Sequence, residues 1–288
     1  QQNPGMTAGL GDVGSDMFVY GSKLYIVVNN SNVVRVLNAS NGVHIANIAF
    51  TPAAKQPRFG IGVRGKVFVT AYDGTVNIID TTSLNMTASI PVGLNPEGIT
   101  TSGDFLYVAN SGGLSFPTYD STVSVISLNS LTEIQKITVG KNPNSITADA
   151  SGNVYVSCLG DYNTIAPKMV KIQTATQSVT FSADTAAGVI RYYNNRLYTT
   201  GGYLGSAYVR ELSTTNFSAI RSNFVSDGTT IINPYGITID EQNGDVYITD
   251  AKDFVSTGEL FCFNSAGARK FSISTSPGIN PVKVAFVR

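Results

Sequence analysis

The residues that most often carry catalysis or hold metals are scarce in this chain. It has one histidine, His44, and two cysteines, Cys158 and Cys262. A Ser-His-Asp triad would have to use His44, which stands at the start of a predicted outer strand and is expected at the surface. A metal site built on several histidines or on a Cys/His cluster is therefore excluded. The cysteines fall in strand-like runs of different repeats, which predicts two buried free thiols.

Carboxylates are the remaining candidates for metal chemistry. Acidic side chains could converge on a central channel and hold a divalent cation, and the candidates are Glu97, Asp149, Asp240, Asp250 and Asp253. The competing interpretation is that Asp at a strand end forms a turn, and we predict no metal site and no cofactor. No Gly-rich phosphate loop, Gly-x-Ser-x-Gly elbow or calcium-loop spacing is present. The 19 basic and 19 acidic residues balance, so the chain lacks the net positive charge that is typical of nucleic-acid-binding proteins.

A short phrase built on Asn-Pro recurs along the chain and organises it. Its copies begin at Asn95, Asn142, Asn233 and Asn280, with a looser copy at Gln56. They lie roughly 40–47 residues apart, or two such units apart, and a period of that size marks a repeat architecture. Within each repeat, four runs alternate apolar and polar residues and are rich in Val, Ile, Thr and Tyr, as strands are. No stretch shows a helical period with caps, and no apolar run reaches the ~18–20 residues that span a membrane.

Four-stranded antiparallel units at this period predict an all-β fold, a β-propeller in a single domain over residues 1–288. The predicted blades cover 15–50, 56–92, 95–139, 142–183, 186–226 and 233–275, with a partial blade at 280–288. We expect seven blades, in which residues 280–287 supply the innermost strand of a closing blade whose N-terminal strands are absent here. That expectation places about 40 further residues before Gln1. The alternative is a six-bladed ring with an extra strand.

The direction of the strands predicts where a site lies. Because neighbouring strands alternate in direction, the blade-to-blade phrase and the loop between second and third strands emerge on one face. On the opposite face, tight turns such as Gly103-Asp104 join the first strand to the second, so the loops there are short. The long loops on the phrase's face are rich in aromatics, and insertions on one face of a repeat array usually mark the binding face. The competing interpretation is that these aromatics only cap their own loops.

The predicted contact set joins these loops to the variable positions of the phrase, which should surround the central channel. The aromatic contacts are Tyr72, Phe116, Tyr119, Tyr162, Tyr203, Tyr235 and Phe254. The polar partners are Arg58, Glu97, Asn110, Asn144, Asp161, Lys252 and Asp253. Such a surface suits a bulky, partly apolar ligand that also forms hydrogen bonds.

Several runs resemble a known family. Residues 106–111 (Leu-Tyr-Val-Ala-Asn-Ser), 122–126 (Thr-Val-Ser-Val-Ile) and 137–143 (Ile-Thr-Val-Gly-Lys-Asn-Pro) resemble the repeats of YncE-like seven-bladed propellers. More narrowly, residues 10–17, 24–31 and 244–251 resemble the surface-exposed members from Bacteroidota. The resemblance covers nearly the whole chain, and in that family a further set of strands precedes the Gly-Asp-Val segment at 11–13.

The resemblance implies a location, a ligand and a partner. Some relatives are secreted lipoproteins that sit on the outer membrane over a TonB-dependent transporter, and the cobalamin-capturing BtuG-type proteins hold vitamin B12 on the loop face. We therefore expect a monomeric, non-enzymatic binding protein, lipid-anchored at the cell surface or periplasmic, with its targeting segment removed. One alternative is a protein–protein platform. A second is a lyase or lactonase. Propellers of those families use metal ions and histidine side chains for catalysis, and this chain has a single histidine, His44.

Overall fold

The computed structural model describes residue 3 and residues 9–51, 55–201 and 207–288. Every regular element in these ranges is a β-strand, so the described part of the chain contains no helix that could cross a membrane. The strands form six four-stranded antiparallel sheets, each taking its strands in chain order. The residues group into two units, Gln1–Thr138 with Ala285–Arg288, and Val139–Val284. The all-β propeller of four-stranded blades is confirmed, and the blade number matches the six-bladed alternative.

The first unit holds blades 1 to 3. Blade 1 consists of β1 (Gly14–Tyr20), β2 (Lys23–Val28), β3 (Val33–Asn38) and β4 (His44–Ala49). Blade 2 consists of β5 (Pro57–Val63), β6 (Lys66–Ala71), β7 (Thr75–Asp80) and β8 (Met86–Pro91). Blade 3 consists of β9 (Pro96–Ser102), β10 (Phe105–Asn110), β11 (Thr122–Ser127) and β12 (Thr132–Thr138).

The second unit holds blades 4 to 6. Blade 4 consists of β13 (Pro143–Ala148), β14 (Asn153–Cys158), β15 (Lys168–Gln173) and β16 (Ser178–Ala183). Blade 5 consists of β17 (Ile190–Tyr193), β18 (Arg196–Gly201), β19 (Tyr208–Ser213) and β20 (Ala219–Arg221). Blade 6 consists of β21 (Pro234–Ile239), β22 (Val246–Asp250), β23 (Glu259–Phe263) and β24 (Arg269–Ser274).

The phrase works as a turn followed by a strand. Gln56, Asn95 and Asn142 adopt left-handed backbone angles, with φ of 51°, 42° and 56°, which asparagine tolerates better than most residues. The proline that follows begins the innermost strand, where its missing N–H costs no ladder bond.

The phrase also contacts the loop after each blade's second strand. In blade 3 the Ser111 N–H donates to the Asn95 carbonyl over 3.3 Å, and in blade 6 the Ala251 N–H donates to the Asn233 carbonyl over 3.0 Å. The pairs Tyr72–Gln56 and Leu159–Asn142 repeat this bond. The phrase and the second-to-third strand loop of a blade therefore share one end, as predicted. We call it the phrase end of that blade.

Cores lie between successive blades within each unit. Tyr25, Val27 and Val34 pack with Val67 and Val69 between blades 1 and 2. The inner strands approach closely there because β5 has glycines opposite β1: a side chain on Gly62 would overlap the ring of Tyr20. Both cysteines are buried and unpaired, as predicted.

The strand expected for a seventh blade does not form. Residues 281–288 carry no strand assignment, although the Val284 N–H donates to Thr238 Oγ1 over 3.3 Å and the Val282 carbonyl approaches Gly236. Residues 282–284 lie beside β21, but no second strand of their own blade pairs with them among the described residues. A β-ladder needs a hydrogen-bonded partner strand, so the phrase at Asn280 marks a blade position without building a blade.

Candidate functional site: the loops at the phrase ends

One carboxylate organises the long loop of blade 4. Asp161 Oδ1 accepts from the backbone N–H groups of Asn163 (2.9 Å), Thr164 (2.8 Å) and Ile165 (2.7 Å). Its Oδ2 accepts from Thr164 Oγ1 over 2.9 Å. These donors, the Ile165 N–H foremost, lower the pKa of Asp161 to about 2 because they stabilise the ionised form.

Blade 6 repeats this arrangement at the same place. Asp253 Oδ1 accepts from the N–H groups of Val255 (3.0 Å) and Ser256 (2.6 Å), and its Oδ2 accepts from Ser256 Oγ over 2.7 Å. The Ser256 N–H is the main cause that lowers the pKa of Asp253 to about 2. The two loops thus share a pattern, Asp–aromatic–x–Ser/Thr, in which the carboxylate ties the loop back on itself. We call this pattern the aspartate bracket.

Each bracket holds an aromatic residue in an uncommon conformation. Tyr162 and Phe254 directly follow the bracket aspartates and have φ of 59° and 64°. Their exposed fractions are 47% and 36%. Bulky residues seldom adopt positive φ, and such strain is kept where the surrounding structure enforces it, often at binding sites. The brackets supply that enforcement, so both rings are displayed on fixed loops.

The exposed ring of blade 6 has an aromatic partner from the phrase. Tyr235, 41% exposed, lies edge-to-face with Phe254, with centroids 5.8 Å apart and an interplanar angle of 80°. Asn233 Nδ2 donates to the Lys252 carbonyl over 2.9 Å, and Lys252 Nζ lies 3.3 Å from Glu259. The structure therefore brings four predicted residues together in blade 6: Tyr235, Lys252, Asp253 and Phe254.

A second predicted group meets in the first unit, between blades 2 and 3. Arg58 Nε donates to Glu97 Oε2 over 2.9 Å, and the Tyr72 hydroxyl donates to the same carboxylate. The guanidinium lies over the Tyr72 ring, 4.8 Å from its centroid, and also donates to Ser15 Oγ over 3.1 Å. Glu97 is only 4% exposed, so these residues satisfy one another's charge and hydrogen-bonding needs.

The remaining predicted residues are dispersed. Phe116 is 74% exposed and lies edge-to-face with Tyr119, which is buried. Asn110 is fully buried and donates to Thr122 and Ser124, so it holds blade 3 together. Asn144 is half-buried beside the proline of its phrase. Tyr203 lies outside the described residues.

The four aspartates considered for a cation accept N–H groups of their own turns, whereas Glu97 pairs with Arg58. Asp149 accepts from Ser151, Asn153 and Tyr155, and Asp250 accepts from the N–H groups of Ile232 and Asn233. Among the described residues no three His, Cys, Asp or Glu side chains group closely enough to hold a metal ion. His44 lies on the outer strand of blade 1, where its Nε2 is 2.7 Å from Asn47 Oδ1.

Sequence reasoning missed one concave feature. A cavity of about 330 Å³ lies in the second unit between the start of β19 and residues 222–234. The predicted fifth blade ran to residue 226, but β20 ends at Arg221 and the chain from there to Pro234 forms an irregular connection. Its position depends on a contact between segments distant in the chain, the Phe224 N–H donating to the Val209 carbonyl over 2.8 Å.

Comparison with known proteins supports the architecture and nothing finer. The chain superposes on hydrazine synthase from Kuenenia stuttgartiensis with a TM-score of 0.72 and 17% identity, covering 86% of this chain and 76% of that one. The fold is a β-propeller. At this identity the similarity concerns the fold alone. No protein-family profile matches the chain, and no curated protein matches it.

Proposed function

We propose that this chain is a non-enzymatic binding protein that captures a bulky, partly apolar nutrient on the loops at its phrase ends. The observation that carries the proposal is the pair of aspartate brackets, each displaying an exposed aromatic ring on a loop fixed by hydrogen bonds. A ring that is already ordered loses little conformational entropy when a ligand binds, so more of the contact energy appears as affinity. Tyr and Phe also offer large contact areas to a flat or curved ligand.

The charges of the predicted site favour binding over catalysis. General acid–base chemistry needs a titratable group that can exchange a proton near neutral pH. The bracket carboxylates instead have pKa values of about 2 and serve as acceptors within their loops. The Glu97 carboxylate accepts hydrogen bonds from Arg58 and Tyr72. These groups are suited to shaping a surface.

The ligand class and location rest on the sequence resemblance to the surface propellers of Bacteroidota. We propose a corrinoid such as vitamin B12 as the first candidate, since it combines a large apolar ring system with peripheral amides. The protein would then act at the cell surface as a lipid-anchored monomer and pass its ligand to a TonB-dependent outer-membrane transporter.

Calorimetric titration tests the proposal directly. The purified protein is titrated with cyanocobalamin and cobinamide, and in parallel with a panel of oligosaccharides. The proposal predicts saturable heat with at least one of these compounds and a stoichiometry of one. No heat from either panel would overturn nutrient capture. Capture of an outer-membrane protein by a chain that binds neither panel would replace it with the platform function.

A further inference from the structure

Hydrogen bonds fix the segments that form the cavity between blades 5 and 6. Besides the Phe224–Val209 bond, the Ser226 N–H donates to the Gly267 carbonyl over 2.9 Å, and the Arg269 N–H donates to Asp227 Oδ2 over 2.6 Å. Farther along, the Ile232 N–H donates to Asp250 Oδ2 over 2.9 Å. The wall formed by residues 222–232 is therefore anchored at both of its ends.

The lining has a distinct division of chemistry. Val209 and Val225 are buried members of the core between blades 5 and 6, Ile231 packs against that core, and all three line the cavity. The polar lining comes from Ser222, Asn223 and Thr230, which are exposed, and from Tyr208 and Thr229, which are half-buried. Asn223 Oδ1 accepts from the Val225 N–H over 3.2 Å, which orients its carboxamide. The cavity thus combines an aliphatic floor with a rim of hydroxyl and amide groups.

The cavity's charge and size narrow its ligand. None of its described lining residues is Asp, Glu, Lys, Arg or His, so an ionic ligand would lose hydration there without gaining a counter-ion. Hydroxyl and amide groups both donate and accept, and therefore complement a ligand whose own groups do both. A volume of about 330 Å³ is at the small end of ligand pockets. These properties fit a compact ring with hydroxyl groups at its edge and C–H groups on its face.

We propose that this cavity is a second binding site, for an uncharged monosaccharide. The hydroxyl groups of the sugar bond to Asn223 and Thr230 at the rim, and a C–H face of the ring packs on Val209 and Ile231. The site is independent of the aspartate brackets and does not rest on their proposed function.

The test uses ligand-detected saturation-transfer NMR followed by calorimetry on the full chain. The probes are glucose, galactose, mannose and N-acetylglucosamine, with glucuronate, galacturonate and glucosamine as charged counterparts. We expect at least one neutral sugar to bind with a Kd of about 1 mM or below. Its charged counterpart should bind at least about tenfold more weakly, because the lining offers no counter-ion.

Substitutions in the lining test whether the sugar binds in this cavity. Thr230→Val should weaken binding about fivefold or more by removing one rim hydroxyl, and Ser222→Trp should abolish it by filling the rim. Thr215→Val, an exposed threonine in the turn between β19 and β20, is the matched control. A sugar that loses affinity for Tyr162→Asn and not for Thr230→Val would occupy the loop site instead, which overturns the cavity assignment. The proposal is overturned if no neutral sugar binds, if charged counterparts bind equally well, or if Thr230→Val and Thr215→Val behave alike.

Discussion

Arg58 and Glu97 occupy equivalent positions, each directly after a phrase proline, and join neighbouring blades through two hydrogen bonds. The guanidinium Nε lies 2.9 Å from Glu97 Oε2, and Nη2 lies 3.3 Å from Oε1. The carboxylate side chain is 5% exposed and the guanidinium side chain 21% exposed. Two variable positions of the repeat have thus become a single inter-blade contact, which Tyr72 completes from blade 2.

Removing the carboxylate charge should destabilise the first unit. Glu97→Gln is expected to lower the free energy of unfolding by about 2–4 kcal/mol, because it leaves Arg58 without its counter-ion in a largely buried site. Tyr72→Phe removes only one hydrogen bond to the Glu97 carboxylate and should cost about 1.5–3 kcal/mol. Chemical denaturation of each variant measures both values.

A double-mutant cycle provides the control. Arg58→Met combined with Glu97→Gln should cost less than the sum of the single changes, since neither charge is then left alone. Additive costs would contradict the contact as described.

The two loops that contain aspartate brackets should stay ordered until the pH is low enough to protonate Asp161 and Asp253. The pKa values of Asp161 and Asp253 are lowered from 3.8 to about 2 by backbone donors in their loops. A lowered folded-state pKa means that the carboxylate's contribution is fully present above the unfolded value near 4 and is lost as pH falls towards 2. Carboxyl carbon NMR should therefore show both residues ionised at pH 3. Titration midpoints near 4 would mean that the brackets are open in solution.

The bracket aspartate and the aromatic after it should have separable roles. Tyr162→Asn is expected to change the free energy of unfolding by less than about 1 kcal/mol, because asparagine accepts the left-handed conformation. Asp253→Ala should instead increase amide hydrogen exchange at Val255 and Ser256, whose N–H groups lose their acceptor. Unchanged exchange at those two amides would show that the carboxylate does not order the loop.

The buried cysteine of blade 4 should be chemically inert in the folded protein. Burial raises the pKa of the Cys158 thiol to about 12, and only the thiolate is a strong nucleophile. Iodoacetamide at pH 8 should leave Cys158 unmodified under native conditions and label it in denaturant, as read by peptide mass spectrometry. Rapid labelling of the folded protein by iodoacetamide would contradict the burial of Cys158 at the end of β14.

Much of the fold followed from the sequence because alternation and turn residues act locally. The first four blades were predicted to begin at residues 15, 56, 95 and 142, and their first strands begin within one residue of these positions, at Gly14, Pro57, Pro96 and Pro143. The two-residue turns at 64–65 and 194–195 have positive φ throughout, as type I′ hairpin turns require. The described residues build six blades, the stated alternative, because the phrase at Asn280 encodes a turn and residues 281–288 find no partner strand of their own blade among them.

The site was harder to predict because exposure and pairing depend on distant residues. The sequence identified Asp161 and Asp253 only as scattered carboxylates, although the Ser or Thr three positions later was visible. Arg58 and Glu97 were expected as ligand contacts, and nothing local in either phrase indicated that they would pair across 39 positions. The cavity lined by Val209 and Val225 escaped notice because the predicted fifth blade ran to residue 226, whereas β20 ends at Arg221 and the chain from there to Pro234 is irregular.

The central claim is that bracketed aromatics at the phrase ends bind a nutrient, and paired calorimetry tests it most directly. Wild-type protein and the Tyr162→Asn/Phe254→Asn double variant are titrated with cyanocobalamin and the oligosaccharide panel, after melting curves show that both are folded. We predict saturable binding by the wild type and a loss of about 100-fold in the double variant, at roughly 1.4 kcal/mol for each aromatic anchor. Equal affinities, or no heat from the wild type with any compound, would contradict the account.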